Sequence, residues 1–221
     1  MLIKICGMTS KEDIDMCVDN NVNIVGFLLQ PPSKSYNRAD MLDFKVAKEL
    51  ISYVPTSMES CLLIHLKDID KILSTIEELK PTMIQIQKQS KLLLENIKLI
   101  KEKFPIIKIT KTFYVNEDID VEKMIKDIKV YINSELIDFI LLDSEKGGSG
   151  ETHNWDVSAY IIKKTEGFPI LLAGGLNPNN ITSAIDKVQP YGLDVMSGVS
   201  TKQYNKDKNK LKLFIKNSKA L

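Results

Sequence analysis

Short apolar runs, rich in β-branched residues, recur along the chain at residues 2–6, 24–29, 61–66, 82–86, 106–112, 138–142, 169–173 and 192–196. Between and after them, apolar residues return at helical spacing over 10–20, 39–53, 68–79, 90–104, 120–135, 156–165, 177–188 and 207–217. Polar caps such as Thr9 or Ser10, followed by acidic residues, and the pair Asn177-Pro178 mark helix starts. Strict alternation of strand and helix predicts parallel strands. Eight such repeats predict closure into a single (β/α)8 TIM barrel, one domain spanning residues 1–221. The rival, an open doubly wound sheet, rarely carries eight strands each followed by a helix, and no strand here is followed by G-x-G-x-x-G.

Composition narrows the partners. A net charge of +1, with lysines and carboxylates interleaved, supplies no basic field for nucleic acid. No apolar run approaches the ~20 residues of a membrane span, and the opening MLIKICGMTSKED has no extended apolar stretch, so a cytoplasmic protein is expected. Cys6, Cys17 and Cys61 are odd in number and widely spaced, which disfavours a disulfide framework and a structural zinc site. Oligomeric state is not readable from these features.

A barrel carries its chemistry at the C-terminal strand ends and the loops that follow. In KICGMT, alternation sends Ile3 and Ile5 to one face and Lys4 and Cys6 to the other, so Cys6 is expected to point inward at the rim. Its thiolate would be favoured by nearby Lys4, or Lys4 would instead be neutralised by Asp194 across the closing seam. Asp143 ends the sixth run before a glycine-rich stretch, Gly147, Gly148 and Gly150, that suits a lid. It reads either as a general acid or base or as a turn aspartate. Gly174, Gly175 and Asn177 after the seventh run, with Ser197 and Gly198 after the eighth, form the phosphate site expected between the last two loops.

Other residues are weaker candidates. His65 and His153 lack partners at metal-ligand spacing and read as structural or solvent-facing. The lysine-rich stretch 202–219 reads as a solvated helix face. Trp155, Phe27, Tyr36 and Phe139 read as core aromatics, with stacking on an aromatic ligand as the alternative.

Taken together, Lys4-Ile5-Cys6-Gly7, Gly26-Phe27, the Pro-x-Ser loop, Leu141-Leu142-Asp143 with Gly-Gly-Ser-Gly, Trp155, Gly174-Gly175-Leu176, and Asp194 with Ser197-Gly198-Val199 resemble the phosphoribosylanthranilate isomerase family of tryptophan biosynthesis. The resemblance implies an Amadori rearrangement of a phosphorylated small molecule without metal or organic cofactor, with Asp143 as general acid and Cys6 as general base. The departures lie in the substrate loops. Ser35 stands where the family carries the arginine that meets the anthranilate carboxylate, Gln87 replaces a histidine, Met196 a serine and Ser200 a glutamate. The lid reads Glu151-Thr152-His153-Asn154-Trp155 in place of Gly-Lys-Thr-Phe-Asp-Trp. Arg38, the only arginine in the chain, or Lys34 either takes the carboxylate instead, or Arg38 caps the second helix region. A related phosphosugar isomerase with another substrate and a non-catalytic phosphometabolite-binding barrel remain the alternatives.

Overall fold

The computed structural model describes residues 1–30, 41–144, 152–202 and 204–219. The strands are β1 (Leu2–Cys6), β2 (Ile24–Leu29), β3 (Met41–Leu42), β4 (Glu59–Ile64), β5 (Met83–Ile86), β6 (Lys108–Val115), β7 (Phe139–Ser144), β8 (Ile170–Leu172) and β9 (Gly192–Val195). They pair in the order β1-β9-β8-β7-β6-β5-β4-β2-β3, and β1 also pairs with β2, which closes the sheet. All of these pairings are parallel. The two-residue β3 hangs on the end of β2 through Leu28↔Met41 and Leu29↔Leu42, so eight strands make the barrel wall.

The outer layer comprises α1 (Lys11–Asp19), α2 (Phe44–Tyr53), α3 (Ile69–Leu79), α4 (Leu94–Lys103), α5 (Val121–Asn133), α6 (Trp155–Lys164), α7 (Ile181–Val188) and α8 (Lys208–Ser218). Strand periodicity sorts the core into two layers. Ile3, Ile5, Val25, Leu62, Ile64, Ile84 and Ile109 pack with helix residues such as Ile14, Ile72 and Ile97 in the larger core. Cys6, Ile24, Leu28, Cys61, Leu63 and Met83 form a separate cluster inside the barrel, and Leu141, Leu171 and Ala173 form another. Phe27 is fully buried in the larger core, and Phe139 tilts against Tyr191, so neither is available at the mouth as a stacking platform.

Helix starts follow local chemistry. Ser10, Asp43, Asp120, Asn154 and Asp207 each accept a first-turn amide through the side chain, a cap worth about 1 kcal/mol. Three helices begin later than apolar spacing predicts, and only the first of them at one of these caps. α2 begins after Asp43 because Met41 and Leu42 are drawn into the sheet, α4 begins at Leu94 after a 3-10 turn at Lys88–Ser90, and α7 begins at Ile181. The three cysteines are free thiols. Among the described residues no helix is long and apolar enough to cross a membrane.

Candidate active site

Cys6 ends β1 inside the barrel, as strand alternation requires, and its neighbour Gly26 in β2 explains how it fits. A Cβ at Gly26 would fall 2.6 Å from Cys6 Sγ, so only glycine leaves the sulfur its space. Gly7, at φ +76°, turns the chain immediately afterwards, and its amide donates to the Gly26 carbonyl at 2.9 Å.

Beneath Cys6 lies a buried ion pair. Lys4 and Asp194 are register partners across the β1–β9 seam, and Lys4 Nζ lies 2.6 Å from Asp194 Oδ2. Lys4 also donates across the barrel to Gln85 Oε1 at 2.8 Å. Burial alone would discharge this ammonium, but the Asp194 carboxylate more than offsets it and holds the lysine pKa above its ordinary value. The Lys4 charge is therefore committed to Asp194. Burial pushes the Cys6 thiol up to about 11, opposed by Lys4 and Lys206 and reinforced by Asp194. Burial thus weighs against the thiolate in the free protein, and of the two expectations for Lys4 the pairing with Asp194 across the seam is the one the structure shows.

Asp143 occupies the tip of β7, in register with Tyr114. It is half-buried, and its Oδ1 accepts the amide of Ser144 at 2.8 Å. Loss of solvent, with Asp194 nearby, pushes the carboxyl up to about 7, despite the Ser144 amide and Lys4. A turn aspartate in water would stay ionised; this one is divided between its two forms at neutrality.

Between β7 and β1 around the wall stand β8 and β9, and their loops fill the gap. Gly174 and Gly175 have φ of +85° and +66°. A Cβ at Gly174 would lie 2.7 Å from the Ser144 nitrogen and 3.1 Å from His153 Nδ1, which sets this loop against the end of β7. A Cβ at Gly198 would lie 1.9 Å from the Leu176 carbonyl oxygen, so the two loops touch backbone to backbone. Among the described residues, the amides of Gly174, Gly175, Ser197 and Gly198 have no acceptor. They supply an unsatisfied donor set of the kind that holds a phosphate. Asn177 is different: its amide donates to Asn180 Oδ1 at 2.8 Å, its Oδ1 accepts from Asn179 and its Nδ2 reaches the Gly175 carbonyl. It braces the loop, and α7 starts one turn later than the Asn177-Pro178 signal implies.

His153 is half-buried, its Nε2 2.6 Å from Ser158 Oγ, and burial lowers its pKa to about 4. His65 falls just beyond β4. Lys34, Ser35, Tyr36, Arg38, Gly147, Gly148, Gly150 and Glu151 lie outside the described residues. Among the described residues no group of three or more His, Cys, Asp or Glu could hold a metal.

One buried lysine, beside the turn at Gly7, escaped sequence reasoning. Lys206, assigned by its lysine-rich surroundings to a solvated face, is 4% exposed. Its only sequence signal is the polar stretch before the Asp207 cap, which does not reveal burial.

Comparison with known proteins agrees with this geometry. The family model for N-(5'-phosphoribosyl)anthranilate (PRA) isomerase matches residues 3–217. The N-(5'-phosphoribosyl)anthranilate isomerase of Methanosarcina acetivorans is 36% identical over 224 residues, covering 96% of this chain and 91% of its own. The isomerase of Pyrococcus furiosus superposes with a TM-score of 0.81 at 26% identity, with complete coverage of both chains. A phosphoribosyl anthranilate isomerase in complex with reduced 1-(o-carboxyphenylamino)-1-deoxyribulose 5-phosphate superposes at 0.77 with 27% identity and complete coverage. With the barrel, the strand-end cysteine and aspartate, and the paired glycine loops all in this register, the chain belongs to the phosphoribosylanthranilate isomerase family.

Proposed function

We propose that this chain catalyses the Amadori rearrangement of N-(5-phosphoribosyl)anthranilate to 1-(2-carboxyphenylamino)-1-deoxyribulose 5-phosphate in tryptophan biosynthesis, with Asp143 as general acid and Cys6 as general base. The observation that carries this reading is the Asp143 carboxyl, held near neutrality in pKa beside a loop pair of free amides, with the Cys6 thiol beyond them. The activity for which the family is named and the phosphorylated ligand of the solved relative support it.

The substrate phosphate would rest on the amides of Gly174, Gly175, Ser197 and Gly198, with Asn177 bracing the turn. Pinned there, the ribose lies between the two reacting groups. Asp143 gives its proton to the ring oxygen as the C1′–O bond breaks, leaving a protonated Schiff base and a carboxylate. Cys6, as thiolate, takes the proton from C2′, and the released electron pair flows into the C1′–N iminium to form an enolamine. Tautomerisation yields the aminoketone. The acid has its pKa near the working pH, and the sulfur, whose burial disfavours ionisation in the free protein, is a strong base once ionised. We assign the anthranilate carboxylate to Arg38 or Lys34, the cations of the substrate-side loop, Arg38 offering the bidentate fork. We place the reaction in the cytoplasm, a reducing compartment that suits three free thiols.

A fluorescence assay of substrate loss tests the assignment. Cys6→Ala and Asp143→Asn should each lower turnover at least ~100-fold, and Arg38→Ala should raise KM. Faster turnover of a non-aromatic phosphosugar amine would replace the substrate. Ligand binding without turnover would leave a phosphometabolite-binding barrel.

A further inference from the structure

The phosphate loops fix which side of the mouth meets the rest of the substrate. They follow β8 and β9, and in the closed order β1-β9-β8-β7-β6-β5-β4-β2 the rim directly opposite is the gap between β5 and β4. A ligand held there by its phosphate, with its sugar between Asp143 on β7 and Cys6 on β1, presents its other end to that gap. Gln87 directly follows β5 on this side. Its backbone is anchored twice: the amide continues the ladder to the Ile64 carbonyl at 3.3 Å, and the carbonyl accepts the Ser90 amide at 3.2 Å and the Ser90 hydroxyl at 2.6 Å. Its side chain is anchored as well. Tyr114 lies on the face of β6 opposite Ile109 and Val115, which belong to the outer core, and its hydroxyl donates to Gln87 Oε1. The carboxamide is thereby oriented, and its Nε2 makes no hydrogen bond among the described residues. Gln87 is buried, yet Nε2 is not sealed off in the way that the unpaired Thr110 and Thr112 hydroxyls on β6 are. A held amide with two free donors discriminates strongly, because a ligand that lacks the matching acceptor leaves those donors unpaired.

We propose that Gln87 is a specificity residue for the end of the substrate remote from the phosphate, its Nε2 donating to the carboxylate of an N-aryl group, with Tyr114 as the positioning residue that fixes the carboxamide. The proposal rests on the reading of the substrate as an anthranilate-bearing phosphoribosyl amine and adds a residue that reads its acid group. A carboxylate has room for about four donors on its two oxygens, so Gln87 leaves space for Arg38 or Lys34 on the same group. The cation supplies charge and the amide supplies direction. Gln87 is also a position where this chain departs from the histidine of the family pattern. An amide presents the same donors throughout the neutral range, whereas an imidazole exchanges a donor for a lone pair there. Gln87 after β5, Tyr114 on β6 and its register partner Asp143 on β7 occupy one arc of the rim, which sets the contact to the aryl group beside the acid that opens the sugar.

The test is calorimetric binding of two ligands, reduced 1-(o-carboxyphenylamino)-1-deoxyribulose 5-phosphate and its phenylamino counterpart without the carboxyl group. Gln87→Met removes the donors at similar volume, Gln87→Glu sets a carboxylate against that of the ligand, and Tyr114→Phe lets the carboxamide turn. Gln87→Met should weaken the carboxylated ligand at least ~10-fold, the loss of one hydrogen bond to a charged group, and change the counterpart less than about 2-fold. Gln87→Glu should weaken the carboxylated ligand further, and Tyr114→Phe should give a smaller loss, about 3-fold, with the same selectivity. If Gln87→Met does not fold by circular dichroism, Gln87→Glu and Tyr114→Phe carry the test. Equal losses for the two ligands overturn the proposal, since they would make Gln87 a structural residue. Unchanged affinity for the carboxylated ligand in the folded variants overturns it too, as does a wild-type chain that binds neither. Turnover reads the reaction separately: selective binding through Gln87 without isomerisation would remove the isomerase and leave the contact standing.

Discussion

Gly26 gives Cys6 its place: the missing side chain on β2 is the space that the sulfur on β1 occupies, with 2.6 Å separating Sγ from a Cβ built at Gly26. The Cys6 Cα lies 3.1 Å from the same point, so the strain of a methyl group cannot be relieved by turning the side chain alone.

Gly26→Ala should therefore displace the sulfur and lower kcat by at least ~10-fold, since a misplacement of about 1 Å can itself cost a hundredfold. KM should change less, because the phosphate loops lie on β8 and β9. Steady-state kinetics with circular dichroism as a folding check decides it; an unchanged kcat would mean that Cys6 need not stand where it does.

The Asp143 carboxyl, raised to about 7, sets one limb of the pH profile. A general acid must enter protonated, so kcat/KM should fall as pH rises through about 7. Asp143→Asn should abolish that limb along with most of the rate. A wild-type profile flat from pH 6 to 8 would contradict the assignment.

Asp143 and His153 should act on stability with opposite sign over one pH window. Asp143 rises from 3.8 to about 7 on folding, so the native state binds more protons there and gains stability as pH falls from 7 towards 4. His153 drops from 6.5 to about 4, so the unfolded state binds more and stability is lost as pH falls from 6.5 towards 4. Relative to wild type, Asp143→Asn should lose stability on acidification and His153→Phe should gain it, each by about 2 kcal/mol between pH 6.5 and 4.5. Urea unfolding at several pH values reads both slopes, and slopes of the same sign would refute the pairing.

The Lys4–Asp194 pair is buried on both sides, at 1% and 8% side-chain exposure. Asp194→Asn leaves the ammonium uncompensated and should destabilise by about 3–5 kcal/mol at pH 7, whereas Lys4→Met combined with Asp194→Leu should lose less. Because the lysine pKa is raised on folding, its contribution is complete at neutral pH and fades only above the ordinary lysine range near ~10.4. Denaturant midpoints of the two variants make the comparison; a double variant weaker than Asp194→Asn would show that the pair does more than neutralise itself.

The alternation of apolar runs determined the barrel, because strand and helix periods are local properties of the backbone and eight parallel strands with eight helices close in few ways. The same period placed Cys6 inside and Ile3 and Ile5 outside, and strand ends marked Asp143 and the glycine pairs. What the one-dimensional chain left open was charge. Whether Lys4 serves Cys6 or Asp194 depends on the register of a seam between residues 190 positions apart. That a lysine from a polar stretch near the end of the chain reaches the turn after β1 depends on Asp13 and Ser200 gripping its backbone and side chain. Met41 and Leu42 likewise became a strand because the edge of β2 stood open to them. Electrostatic energy depends on distance and burial, and only closure of the barrel sets either one.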